Sequence, residues 1–144
     1  MRDEKLHRRL NAYQATAIFS VLFALMGFSY NVWRMEVTEH NSNVREASFE
    51  MLLQLAELEQ LVYAAYYDQD AERGNPRQGW VKVGLIIDLS VSSEVAVQEH
   101  ALKLREVWTA HWEPLPSERA SANAIVAAID GVRDGVRMAL QDLD

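Results

Sequence analysis

The chain has 144 residues, 49% of them apolar, enough for about one domain and one modest core. It holds no cysteine, which excludes disulfides, thiolate catalysis and zinc–thiolate sites. The formal net charge of −7 is unevenly spread. Arg2, Lys5, Arg8 and Arg9 outweigh Asp3 and Glu4 before the longest apolar run, whereas ten basic residues face nineteen acidic ones after it, giving −9. So acidic a region argues against nucleic acid as a partner, because phosphate contacts need clustered lysine and arginine.

Residues 13–33 read YQATAIFSVLFALMGFSYNVW, with no charge between Arg9 and Arg34. A helix of about 20 apolar residues crosses the hydrocarbon core, and Tyr13, Tyr30 and Trp33 stand where amphipathic rings favour the headgroups. The run is longer than the h-region of a signal peptide, and its exit is too bulky for a small-x-small cleavage site. It is therefore expected to be an uncleaved signal-anchor. The basic flank places residues 1–12 as a cytoplasmic tail and residues 34–144 as a periplasmic domain of a bacterial inner-membrane protein. Within the run, Ala17, Ser20, Ala24 and Gly27 recur at helical spacing, with Asn31 continuing the face. Small faces let membrane helices approach closely, so this face is a candidate for packing against a second copy or another membrane protein.

The remainder predicts an all-α domain. Over 35–72, Val44, Ser48, Met51, Leu55, Leu58, Val62 and Ala65 follow a 4,3,4,3 spacing, the stripe of an amphipathic helix. Gly74-Asn75-Pro76 should end it, with glycine as the cap. Residues 80–91 alternate with period two, as a strand would, yet also carry a helical stripe. With no second strand to pair with, helix is the expectation, running on to residue 112, with Ser90, Ser92 and Ser93 marking a kink near 90–93 or a fresh N-cap that has Glu94 in its first turn. Val95, Ala101, Leu102, Trp108 and Trp112 are its expected core contacts. Pro114 and Pro116 end that run. Ser117 is the expected N-cap of a last helix over 118–142, whose stripe includes Ala122, Ile125, Ile129, Val132, Val136 and Leu140. Three runs joined by short Pro/Gly turns predict an antiparallel up-down-up bundle.

Chemistry is sparse. From Asp68, an acidic loop would need glycine at its sixth position and glutamate at its twelfth to hold calcium, and Arg73 and Gly79 stand there instead. No Glu-x-x-His pair, G-x-S-x-G or phosphate-binding glycine motif occurs. Neither catalytic residues, nor a metal, nor a cofactor is expected. Asp88 should point outward from its apolar surroundings. Tyr63, Tyr66, Tyr67 and Trp80 are expected to meet at the bundle tip, closing it or, with Arg73 and Arg77 and with Lys82 at the rim, forming a site for a partner or a small anion. The expected role is a non-enzymatic, interaction-based one: an accessory or scaffolding subunit of a membrane complex. The alternative is a sensor or ligand-binding module, since the expected shape resembles the helical-bundle sensor domains of chemoreceptors and sensor kinases. Bare coiled-coil proteins share the single anchor but lack such Pro-punctuated hairpins.

Overall fold

A computed structural model describes the backbone of residues 2–143 and the side chains of residues 13–143. The basic flank Arg2, Lys5, Arg8 and Arg9 thus lies outside the described side chains. Among the described residues there are four helices and no strand: α1 (Arg2–Tyr66), α2 (Pro76–Ser90), α3 (Val95–His111) and α4 (Arg119–Gln141). Contacts divide the chain into two compact units, residues 1–40 and residues 41–144.

In the first unit every described side chain is exposed, including Phe19, Leu22, Phe23, Leu25 and Phe28. The helix here is long and apolar enough to cross a membrane. Its polar side chains turn back on their own backbone: Ser20 Oγ donates to Thr16 O at 2.9 Å and Asn31 Nδ2 to Gly27 O at 3.0 Å. Such internal satisfaction suits a segment without water, where an unpaired polar group is costly.

The second unit is organised around one core to which all four helices contribute. Met51, Leu55, Leu58 and Val62 of α1 meet Val83 and Ile86 of α2, Val97, Leu104 and Trp108 of α3, and Ile125, Ile129, Val132 and Val136 of α4. The stripes read from α1 and α4 are therefore core faces. Val95 and Leu102 differ: both are exposed, leaving Val97 and Ala101 to fill the core from α3. Asp88 is exposed, as its place on the helix implied.

α1 ends at Tyr66, six residues before the glutamate at which the sequence pattern would stop it. Gln69 adopts a left-handed backbone (φ 53°) and its amide Nε2 reaches Tyr66 O at 2.5 Å and Pro116 O at 2.8 Å. Asp70 Oδ1 then accepts from the backbone of Glu72 and Arg73, both at 3.0 Å, building an Asx turn where helix was expected. Gly74 is consequently not a helix cap. A Cβ there would come within 2.6 Å of the Ala65 backbone, so its role is close approach. Asn75 and Pro76 start α2 as their chemistry dictates: Asn75 Oδ1 accepts from Arg77 N at 3.0 Å, and proline takes the first turn, where no donor is needed.

Residues 80–90 are helical, but the expected single second helix is two. Ser90 Oγ donates back to Ile87 O at 2.7 Å, and a turn through 91–93 reverses the chain. Glu94 rather than a serine takes the N-cap position of α3 and makes no side-chain capping bond. The reversal is plain from Gly79 and Trp80, which lie against Trp108, the Trp80 and Trp108 rings perpendicular at 6.3 Å. In one continuous helix residues 79 and 108 would stand roughly 44 Å apart. α4 begins one residue later than expected, because the Ser117 hydroxyl donates to Pro114 O instead of capping. Gly131 and Gly135 face α3: a Cβ on either would lie 3.3–3.4 Å from the His100 ring.

A methyl group at Gly79 would sit 2.1 Å from Trp108 Cζ2, and the fully buried indole has no room to retreat. Gly79→Ala should therefore destabilise the domain by about 1–3 kcal/mol or more. Thermal unfolding of the full chain in detergent, followed by circular dichroism, should show a Tm lowered by about 4–8 °C per kcal/mol. An unchanged Tm would contradict the approach of α2 to α3.

Candidate functional site

The aromatic group anticipated at the tip is two groups. Tyr63, Tyr66 and Tyr67 follow one another along the end of α1, Tyr66 and Tyr67 edge-on at 4.7 Å and Tyr63 and Tyr67 at 5.8 Å. Trp80 instead packs on Trp108. Tyr63 and Tyr67 are largely exposed, while Tyr66 leans on the core.

The basic residues separate as well. Arg73 and Lys82 line one polar groove of about 280 Å3 with Glu57, Gln60, Leu61 and Gln78. Arg77 does not line it; its backbone N–H closes the α2 cap. Lys82 Nζ is already engaged by Glu57, with Gln54 Oε1 at 3.5 Å, and Arg73 stands 3.8 Å from Asp68. The groove thus presents both signs of charge.

The tightest polar constellation was not foreseen. Arg133 of α4 donates to Glu59 of α1 at 2.7 Å and also pairs with Asp130 one turn earlier. The Tyr63 hydroxyl donates to the same Glu59 at 2.7 Å. Partial burial by itself would raise the Glu59 pKa, but the hydrogen bonds from Tyr63 and Arg133, with the guanidinium charge, outweigh it and hold the carboxyl below its ordinary range. The same hydrogen bond pushes the Tyr63 phenol up, and Glu59 keeps Arg133 charged against burial. These groups lie 74 positions apart in the chain, so no local spacing announced them. A second unforeseen chain runs from His111 Nδ1 to Ser121 Oγ at 2.9 Å, the hydroxyl also meeting Glu118. Ser121 is fully buried, and the arrangement ties the start of α4 to the end of α3.

Among the described residues, no group of three or more histidines and carboxylates is placed to hold a metal ion. A groove of about 750 Å3 lies between α1 and α2, lined by Arg45, Glu46, Phe49, Glu50, Leu53 and Leu89 among others. Phe49 is 64% exposed and Leu53 51% exposed. Their i, i+4 spacing outside the core stripe was the one signal in the sequence that could have pointed to it. Comparison with family models, curated proteins and solved structures finds no match.

Because the Glu59 pKa is depressed in the folded state, its contribution is present above the ordinary carboxylate value of about 4.3 and is lost as pH falls through the folded value. Glu59→Gln should cost about 1.5–3 kcal/mol at neutral pH. It should also remove part of the wild-type loss of stability below about pH 4. Urea unfolding of both proteins at pH 7 and pH 3.5 measures this; parallel pH profiles would show that the pair contributes nothing.

Proposed function

We propose that this chain is a single-pass, non-enzymatic membrane protein that works by binding other proteins, as an accessory or scaffolding subunit of a membrane complex. The observation that carries the reading is the first unit. An apolar helical face with no internal cover needs lipid or protein around it, and its small residues Ala17, Ser20, Ala24 and Gly27 leave room for a neighbouring helix. A Cβ on Gly27 would meet nothing within 4 Å in the chain itself, so the space there is open to a partner, another copy or a different membrane protein. The basic flank before the run supports a cytoplasmic N-terminus, with the acidic domain in the periplasm of an inner-membrane protein. The helix pairings support an up-down-up-down antiparallel bundle as the arrangement of that domain.

Purification of the full chain from native membranes in mild detergent tests this. Other membrane proteins should co-purify in fixed ratio, and Ala24→Leu or Gly27→Ile should reduce them while leaving the circular dichroism spectrum unchanged. Recovery of this chain alone would sink the accessory-subunit reading.

The groove holding Arg73 and Lys82 favours a second reading, a module that binds a small anion and signals through a partner's membrane helices. Titration with inorganic phosphate and with acetate should then give a saturable rise in Tm that Arg73→Ala abolishes. No rise would discard it.

A further inference from the structure

α1 carries two apolar faces in the second unit. The first, through Met51, Leu55 and Leu58, is buried in the core. The second is formed by Phe49 and Leu53, flanked on the same stripe by Glu46 and Glu50, the four following one another at i, i+3, i+4 and i+7. Phe49 and Leu53 are more than half exposed, and Leu89 of α2 forms the opposite wall of the groove. An isolated exposed leucine needs no explanation, but a phenylalanine and a leucine one turn apart, facing a third apolar side chain across a groove, form a contiguous surface.

Its charge says what covers it. Glu57 and Glu59, further along α1, are met from within the molecule by Lys82 and Arg133. On the groove side, Arg45 lines the wall together with Glu46 and Glu50, so carboxylates outnumber cations there two to one; Glu50 is held by an amide, Gln54 Nε2 at 2.9 Å, and Glu46 is exposed. A second copy would bring the same acidic rim and the same nine-charge excess of acid beyond the apolar run. Phe49 and Leu53 stand about 6 Å apart along the helix axis, the separation of i, i+4 anchors on an incoming helix.

We infer that the groove between α1 and α2 at Phe49, Leu53 and Leu89 docks an amphipathic helix of another protein, one whose apolar stripe is flanked by lysine or arginine that pair with Glu46 and Glu50. This rests on the interaction-protein reading above and names the surface and the chemistry of its partner. The groove supplies the apolar seat and the two carboxylates its selectivity, since like charge at such a rim repels the wrong helix.

The test places a photo-crosslinking phenylalanine analogue at Phe49 or Leu53 of the full chain in native membranes, with Leu102 of α3 and Met138 of α4 as exposed apolar controls. One partner should be labelled from Phe49 and Leu53 but not from the controls, and its labelled peptide should be an apolar helical stretch flanked by lysine or arginine. Reversing the rim with Glu46→Lys and Glu50→Lys should cut the yield by about tenfold or more. Glu46→Gln with Glu50→Gln should cut it less, and both variants should keep the wild-type circular dichroism spectrum. Adducts of this chain with itself, a labelled segment without basic flanks, equal labelling at the controls, or indifference to charge reversal would each overturn the inference. Absence of any adduct from membranes in which partners still co-purify would overturn the groove while leaving the interaction reading standing. Absence of both would remove the two together.

Discussion

The seat of Trp108 against Gly79 is the contact on which the rest of the second unit depends. A fully buried indole occupies the space that a side chain at Gly79 would need, so α2 and α3 pair closely only because residue 79 is glycine. That pairing forces the reversal at 91–94 and turns one long amphipathic run into two antiparallel helices. α4 then closes on α3 through Gly131 and Gly135, where the His100 ring takes the room that two Cβ atoms would fill. Close approach at a few small residues thus positions α2, α3 and α4 around the shared core. Trp108 Nε1 makes no hydrogen bond to the described residues, a polar cost that the packing of so large an apolar surface must offset.

Once the helices are so placed, electrostatics fixes their register. α1 offers Glu57 and Glu59 on either side of its core stripe, and α2 and α4 each bring one cation to them, Lys82 and Arg133. Because Arg133 and Glu59 are both about four-fifths buried, a slip of one turn would leave each half-buried and unpaired, which is far worse than the pair is good. Asp130 and Tyr63 add further hydrogen bonds to the same centre, so these polar groups select one alignment of apolar faces that would otherwise slide.

Much of this was legible in the sequence. The membrane-compatible run, the all-helical class, the core stripes of α1 and α4 and the start of α2 at Asn75-Pro76 all follow from periodicity, composition and local capping chemistry. What was not legible depends on residues far apart in the chain. Nothing in the residues next to Gly79 announces that Trp108 lies against it. Gly74 reads as a helix cap until Ala65 is found beneath it. The early end of α1 is set by Gln69 binding Pro116, a contact across 47 positions. Local serines suggested a kink near 90–93, but whether the chain bends or reverses there is decided by packing, not by the serines. The aromatic and basic residues near the tip were grouped because they are close in sequence; the helix faces carrying them point Trp80 toward α3 and Tyr63 and Tyr67 outward.

The distribution of paired and unpaired charge then bears on function. A domain with an excess of nine acids could leave its carboxylates uniformly solvated, yet Glu57 and Glu59 on α1 are each matched by a cation, whereas in the groove Glu46 and Glu50 outnumber the one cation of the lining, Arg45. Stability explains the first set, because half-buried charge must be paired. It does not explain why Phe49 and Leu53 remain more than half exposed beside the second, since neither belongs to the core. On the proposed reading, that combination persists because it is completed in trans. The same logic holds in the first unit, where side chains small enough to admit a neighbour line one helical face of the apolar run. On the proposed reading, these two surfaces, one of small residues in the apolar run and one apolar with carboxylates at its rim, would serve separate contacts, the first in lipid and the second in water.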